Sequence, residues 1–295
     1  MRLTMEQVIQ YQTHGYLVAE GVLTDEDLQP VITEMAKEID LRASVLYAEG
    51  KITELHETES FERRYALLYA QCPEIGRAFD IMDILGEAMF EFLRNDNLLD
   101  AVECLLGSEL SCNPIQHIRA KLPWKAREGQ AEPNTFENVP WHQDCAVTTP
   151  DSEASEIITF WMPLVDATAE TGCMEIMPEV FKLGYLEHQA EGGTTIVPAQ
   201  LPHVQPVLAE CRKGGVVIMN KYTPHRGTTN NSDIVRWSLD LRYHKTGAAS
   251  GRSHLPSFVA RSAAHPESVL DSHQEWRLLW QDALASKEQR SLHRV

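Results

Sequence analysis

Long apolar runs, ordered cysteine spacings and positive charge are all scarce in this sequence of 295 residues. No apolar stretch approaches the ~20 residues that a membrane-crossing helix needs. The opening Met-Arg-Leu-Thr-Met-Glu-Gln lacks the basic region and apolar core of a secretory signal. The six cysteines, Cys72, Cys104, Cys112, Cys145, Cys173 and Cys211, make no CxxC pair and no disulfide framework. They read as small buried hydrophobes in a reduced compartment, so a cytoplasmic location is expected. Lysine and arginine number 26 against 43 aspartates and glutamates, a formal charge of −17. That balance excludes the usual nucleic-acid and anionic-membrane binders, which need excess positive charge. The first 100 residues hold 20 acids and only 8 bases, so most of the negative charge lies away from the later half.

What is present is ordinary globular material, 43% hydrophobic and 23% charged, enough to bury a core without staples. Residues 1–295 are expected to form a single domain, with 1–112 mostly helical support, 113–245 a β core, and 246–295 a loop and a C-terminal helix. Thr4 with Gln7 three positions on is a capping-box pattern that opens a helix over Met5–His14, and Gly15 is placed to close it. Thr24 precedes three acids at a second helix start, and 25–48 and 76–106 carry apolar residues at helical spacing. From about residue 113 the period shortens to that of strands. Val235, Trp237, Leu239, Leu241 and Tyr243 alternate with Arg236, Ser238, Asp240 and Arg242, the pattern of one strand with two distinct faces. Many short strands without intervening helices indicate a sandwich or barrel, jelly rolls and cupins among them. Trp276, Leu279, Trp280, Ala283 and Leu284 make one stripe on a late helix, expected to pack on the sheet.

The chemistry concentrates in Trp141-His-Gln-Asp144. In an extended segment His142 and Asp144 project from one face, and an imidazole beside a carboxylate can share a divalent cation. His225, just after the apolar run Gly214–Asn220, offers a second imidazole, although His117, His188 and His203 compete for that part. Two histidines and one carboxylate form a facial triad suited to Fe(II), with positions left open. Eleven residues on stands Arg236. A buried guanidinium keeps its proton and needs an anion, and its fork matches a carboxylate. A dicarboxylate that chelates the metal at one end would satisfy it; the alternative is a structural pairing with Asp240 or Asp233. If His225 and Arg236 lie on adjacent antiparallel strands, both enter one cavity.

With those residues in place, the chain resembles the phytanoyl-CoA dioxygenase (PhyH) family of Fe(II)/2-oxoglutarate oxygenases over most of its length. The matching stretches are Leu3–Ala19, Trp141–Asp144, Thr171–Pro178, Gly214–Met219 and the run from His225 through Asn230-Asn-Ser to Arg236. The resemblance implies a mainly β fold with a helical N-terminal region, a double-stranded β-helix (jelly roll, cupin-like) flanked by α-helices. It implies His142, Asp144 and His225 as iron ligands and catalytic centre, and Arg236, Gln116 and Trp161 as contacts of 2-oxoglutarate. The implied activity consumes O2 and releases succinate and CO2 while a small-molecule substrate is hydroxylated, desaturated, epoxidised or cyclised. Because related halogenases lack this carboxylate, Asp144 points to oxidation without halide. Two departures stand out: Gly227 where relatives often carry a hydroxyl, and Pro178-Glu-Val-Phe in place of Pro-Gly-Ser-His.

Arg119, Lys121, Lys125 and Arg127 are four bases within nine residues of an acidic chain. Together they are read as a positive lip for a carboxylate-bearing substrate, with Arg119, Lys125 and Arg127 as its candidate contacts, the alternative being a solvated strand end and loop. The oligomeric state stays open between monomer and homodimer. Two other functions compete: a metal-dependent cupin-like isomerase or hydrolase that does not use 2-oxoglutarate, and a catalytically silent binding domain.

Overall fold

In the computed structural model, residues 1–124, 139–190 and 193–286 are described. The Thr4–Gln7 capping box forms in both directions at the start of α1 (Met5–His14). Gly15 ends that helix with φ 79°, a left-handed conformation that suits glycine, and β1 (Tyr16–Ala19) follows at once. A second reciprocal box, Thr24 with Asp27, opens α2 (Asp25–Ala48). α3 (Phe61–Gln71) was not apparent from the periodicity.

The helical signal over 76–106 resolves into α4 (Ile81–Ile84), α5 (Glu87–Phe92) and α6 (Asp96–Leu106). Leu85 turns left-handed after the first, and the Asn95 side chain accepts from Leu98 N at 3.0 Å to start the third. The apolar spacing survived these breaks because all three segments bury residues in the same core.

The strands are β2 (Glu109–Cys112), β3 (His117–Lys121), β4 (Ile157–Pro163), β5 (Met174–Ile176), β6 (His188–Ala190), β7 (Thr194–Ile196), β8 (Val207–Ala209), β9 (Val216–Asn220), β10 (His225–Gly227), β11 (Arg236–Lys245) and β12 (Phe258–Ser262), and α7 (His273–Ala285) closes the order. One sheet runs β1-β9-β4-β11-β2-β12 with β3 also on β11, and a second runs β10-β5-β8; every pairing is antiparallel. Trp161, Val217 and Met219 of the first sheet pack with Met174, Ile176 and Ala209 of the second. Two facing antiparallel sheets of this order make a double-stranded β-helix.

Two boundaries differ from the sequence reading. The sheet is not confined to 113–245, since β1 and β2 lie before it and β12 after it. The late stripe is narrower than expected: Trp276 and Trp280 are buried while Leu279 and Leu284 are exposed. Trp276 rests against Phe90 of α5 at 5.4 Å between ring centroids.

β11 organises the molecule. Its apolar face goes to the helices, where Trp237 is enclosed by Phe61, Tyr65 and Phe79 at 5.2, 4.8 and 5.7 Å. Burying such an indole removes on the order of 200 Å² from water, roughly 5 kcal/mol before entropy is counted. On the other face Arg236, Ser238, Arg242 and His244 are buried as well and Asp240 is half-buried, because this face looks into the space between the sheets. Asp240 is in register with Trp161 and Arg242 with Thr159 across β4. A polar set thus stands inside the barrel, which an apolar core would not tolerate without partners or a ligand.

Candidate active site

His142 and His225 face one another through two backbone hydrogen bonds, His142 N to His225 O at 3.1 Å and His225 N to His142 O at 3.0 Å. Their rings stand 4.2 Å apart. Each Nδ1 lies on a backbone carbonyl, Pro140 O at 2.9 Å and Thr223 O at 3.0 Å. A carbonyl only accepts, so both Nδ1 atoms carry a proton, and Nε2 is left as the atom of each ring that can bind a metal. Those two Nε2 atoms are each 4.0 Å from Asp144 Oδ1. All three ligating atoms lie within 4.8 Å of one another, and among the described residues this is the one such group of three.

Asp144 begins a short 3-10 turn immediately after the extended Gln143. Its Oδ2 accepts from the Thr159 hydroxyl and its Oδ1 accepts from Arg242 Nη2 at 2.6 Å. Arg242 also donates to Ile115 O at 3.2 Å and Asp240 at 3.4 Å. Burial acts to raise the Asp144 carboxyl, and the Arg242 guanidinium, the two imidazoles and Thr159 outweigh it, holding it well below the usual carboxylate range. Burial and the neighbouring His225 push His142 down to about 3, against the pull of Asp144. A neutral His142 beside an ionised Asp144 is the protonation state that a divalent cation takes.

Gln143 holds the motif in place rather than facing the site. Its amide nitrogen donates to Gly184 O at 2.9 Å and Tyr222 O at 2.7 Å, and its Oε1 accepts from Leu186 N at 2.8 Å. His188, a competing ligand in the sequence, accepts from Gln143 N at 3.0 Å. His117 pairs with Asp80 at 2.7 Å, and His203 lies exposed. None of the three joins the triad.

Arg236 is 5% exposed and forms no ion pair among the described residues: Asp233 is taken by Arg63 and Asp240 by Arg242. Its Nη1 donates to Ser238 Oγ at 2.5 Å, its Nε has no partner, and its carbon centre sits 5.0 Å over the Trp161 ring. Burial lowers this guanidinium to about 10, with Arg119 adding to the effect and Cys173 opposing it. The expected route to a shared cavity needs correction. His225 is on β10 and Arg236 on β11, which belong to different sheets, so the two face across the barrel instead of lying on adjacent strands.

Gln116 stands one residue before β3. Its Nε2 donates to Cys112 Sγ at 2.7 Å, and its buried Oε1 has no partner. Cys112 belongs to the core on the helix side of the sheet, so that amide nitrogen is committed away from the triad. Arg119, on β3, is in register with Ser238. Lys125 and Arg127 lie outside the described residues. The sequence reading missed Thr159 and the part that Arg242 plays, although Arg242 was visible on the polar face of β11.

The donor set fits a ferrous ion: two imidazole nitrogens and one carboxylate oxygen, borderline and hard ligands with no thiolate among them. The unpaired buried guanidinium fits the far carboxylate of a dicarboxylate co-substrate. A double-stranded β-helix with this set between its sheets is that of a non-haem iron oxygenase. The chain belongs to the phytanoyl-CoA dioxygenase (PhyH) family, whose profile matches residues 11–238. It is thus an oxidoreductase dependent on Fe(II), 2-oxoglutarate and O2.

Among solved structures it is similar to a non-haem monooxygenase, ThoJ, in its apo form (TM-score 0.64, 16% identity, 94% of each chain covered). It is also similar to the epimerase SnoN in complex with Fe3+, alpha-ketoglutarate and a nogalamycin (0.56, 21%, 83% of this chain and 84% of that one). A third is the carbocyclase SnoK of nogalamycin biosynthesis (0.51, 17%, 92% and 94%). No curated protein matches in sequence. Among the described residues no helix is long and apolar enough to cross a membrane.

Proposed function

We propose that the protein oxidises a C–H bond of a small organic molecule, a carboxylate-bearing or natural-product intermediate, by hydroxylation or by a related desaturation, epoxidation or cyclisation. His142, Asp144 and His225 would hold the iron through Nε2, a carboxylate oxygen and Nε2. Arg236, over Trp161, would receive the distal carboxylate of 2-oxoglutarate. Iron held this way, with 2-oxoglutarate and O2, supplies a two-electron oxidation of substrate while succinate and CO2 leave.

The residues of the chain do the rest. Thr159 and Arg242 fix the carboxylate plane, and the two carbonyls at Pro140 and Thr223 keep the imidazole tautomers. The apolar walls from Trp161, Met174, Ile176, Val217 and Met219 keep water from the reacting carbon. The observation that carries this reading is the convergence of three ligating atoms opposite a buried arginine with no acid of its own. Three different outcomes named for the similar structures, monooxygenase, epimerase and carbocyclase, support leaving the fate of the substrate carbon to the substrate's pose. Arg119, with Lys125 and Arg127, would form the positive lip that receives the substrate carboxylate.

The test is anaerobic titration of Fe(II)-loaded protein with 2-oxoglutarate, followed by a screen of carboxylate-bearing intermediates for stimulated succinate release. Asp144→Ala should abolish that release. Absence of 2-oxoglutarate binding, or oxygen-independent turnover with zinc or manganese, would overturn the proposal in favour of the isomerase or hydrolase reading.

A further inference from the structure

Arg236 is not alone in being a buried guanidinium without an acid. Arg252, in the connection between β11 and β12, is 8% exposed. Its Nε donates to Val147 O at 2.7 Å, and its two Nη atoms meet no acceptor among the described residues. Neither Nη is sealed from solvent in the way that Arg236 Nε and Arg242 Nε are. The free edge of the fork therefore borders an opening.

The backbone delivers this side chain to the metal end of the site. Ser250 O accepts from Asn113 Nδ2 at 2.9 Å, and the same amide nitrogen lies 3.4 Å from His244 Nδ1. Gly251 O accepts from both Thr149 N and the Thr149 hydroxyl at 3.0 Å. Gly251 has φ 76°, and a β-carbon there would stand 2.5 Å from Thr148 Cβ, so only glycine lets the two segments approach this closely. Arg252 is thus clamped to a stretch that begins three residues past Asp144. Its guanidinium is near enough to that of Arg242 for the two to repel, and burial together with this repulsion lowers Arg252 to about 10. Arg242 has Asp144 and Asp240 for partners; Arg252 shares neither. A buried cation beside a like charge is costly unless an anion joins it.

The inner face of β11 gives the direction. It runs from Arg236, where 2-oxoglutarate would end, to Arg242, which holds the metal carboxylate, and on to His244. Arg252 adjoins the Arg242 end, so an anion there belongs to the other reactant. A single free fork matches a carboxylate through two parallel bonds, whereas a phosphate dianion would call for a further unpaired cation. We propose that Arg252 anchors the carboxylate of the oxidisable substrate on the side of the metal away from Arg236, and so selects carboxylates over neutral molecules of the same shape. This deepens the iron and 2-oxoglutarate reading above and rests on it. The lip at Arg119 would meet the substrate first, and Arg252 would hold it.

The test is binding without turnover. Protein loaded with Mn(II) and saturating 2-oxoglutarate is titrated with para-fluorophenylacetate and with para-fluorophenylacetamide, the same body with a neutral head, and broadening of the fluorine resonance by the metal is followed. The unaltered protein should bind the acid at least about tenfold more tightly than the amide. Arg252→Gln should weaken the acid about ten- to a hundredfold and leave the amide and 2-oxoglutarate within about twofold. Arg252→Lys keeps the charge and loses the fork, and should retain only part of the preference; it serves if the glutamine variant does not fold. Equal binding of acid and amide by the loaded unaltered protein, or a preference that survives intact in either variant, would overturn the assignment and leave Arg252 a clamp on Val147. Loss of the preference in Arg119→Gln with none in Arg252→Gln would overturn it in favour of the lip. Failure of the unaltered protein to take up Mn(II) with 2-oxoglutarate would instead overturn the proposed function, and the assignment with it.

Discussion

Asp144 is the residue whose surroundings decide most. Its carboxylate is 2% exposed and ionised, with Arg242 on one oxygen and Thr159 on the other. Removing one member of a buried charge pair leaves the other unpaired, typically at a cost of ~3–5 kcal/mol. Arg242→Met should therefore lower the melting temperature of the metal-free protein sharply. A bound divalent cation replaces the missing positive charge, so Ni(II) should raise the melting temperature of Arg242→Met by more than it raises that of the unaltered protein. Equal shifts would show that Arg242 does not act through Asp144. Thr159→Val removes a neutral donor that orients the carboxylate, and should weaken Ni(II) binding about tenfold with a smaller loss of stability.

The ligands were legible in the sequence because each sits in a short motif: His142 and Asp144 two apart, His225 at the mouth of an apolar strand. Arg236 was legible because a charged residue began a strand whose alternate positions are apolar. Thr159 was not, since its role exists only through the β4–β11 register that sets it beside Arg242. Spacing along the chain carries no information about a partner eighty residues away.

Among the elements, α1 and β10 are tied through one glycine. Gly15 O accepts from Asn220 N at 2.9 Å and from the Thr223 hydroxyl at 2.7 Å, and Thr223 O in turn holds His225 Nδ1. The end of the first helix therefore braces the turn that delivers the second imidazole. Gly15→Ala would place a non-glycine residue in the left-handed region, costing roughly 1–2 kcal/mol, and its β-carbon would overlap the Phe181 ring and Thr223 Oγ1. The expected result is a lower melting temperature together with weaker metal binding. Thr223→Val, which keeps the shape and loses the buried hydrogen bond, should cost about 1–3 kcal/mol with the same loss of metal affinity. Loss of stability without any loss of metal binding would separate the brace from the site.

At this scale the sequence was most informative where a cap and a period agreed, as at Thr4–Gln7 and along 235–243. It was least informative where burial hid the period. α4, α5 and α6 share one core and so read as one helical stretch, and the polar face of β11 pointed to an interior only at Arg236. Pairing His225 and Arg236 on neighbouring strands was the natural guess from eleven residues of separation. Two facing sheets bring them together by another route.

The molecule as a whole encloses several imidazoles that it keeps neutral. His244 lies on the inner face of β11 and is 2% exposed; burial lowers it from the usual 6.5 to about 4. Burial likewise lowers His142 and His188. Between pH 6.5 and 4 the unfolded chain binds a proton at position 244 that the folded chain refuses, so stability must fall as pH falls through that window. The slope is at most about 1.4 kcal/mol per pH unit for each such imidazole. Above the ordinary histidine value the contribution is fully present. Below about pH 4 both states are protonated at His244 and its slope vanishes. The Asp144 carboxyl, held low by Arg242, acts in the same direction, but its loss begins only as the unfolded carboxylate starts to titrate near 3.8. The two classes of group therefore act mostly in separate ranges. Denaturant melts of metal-free protein at pH 7, 6 and 5 should show declining stability, and His244→Gln should flatten the decline by the share of one proton while leaving metal binding at pH 7 unchanged. A variant that declines as steeply as the unaltered protein would mean that His244 takes up its proton without unfolding, and that the barrel interior admits water at the far end of β11.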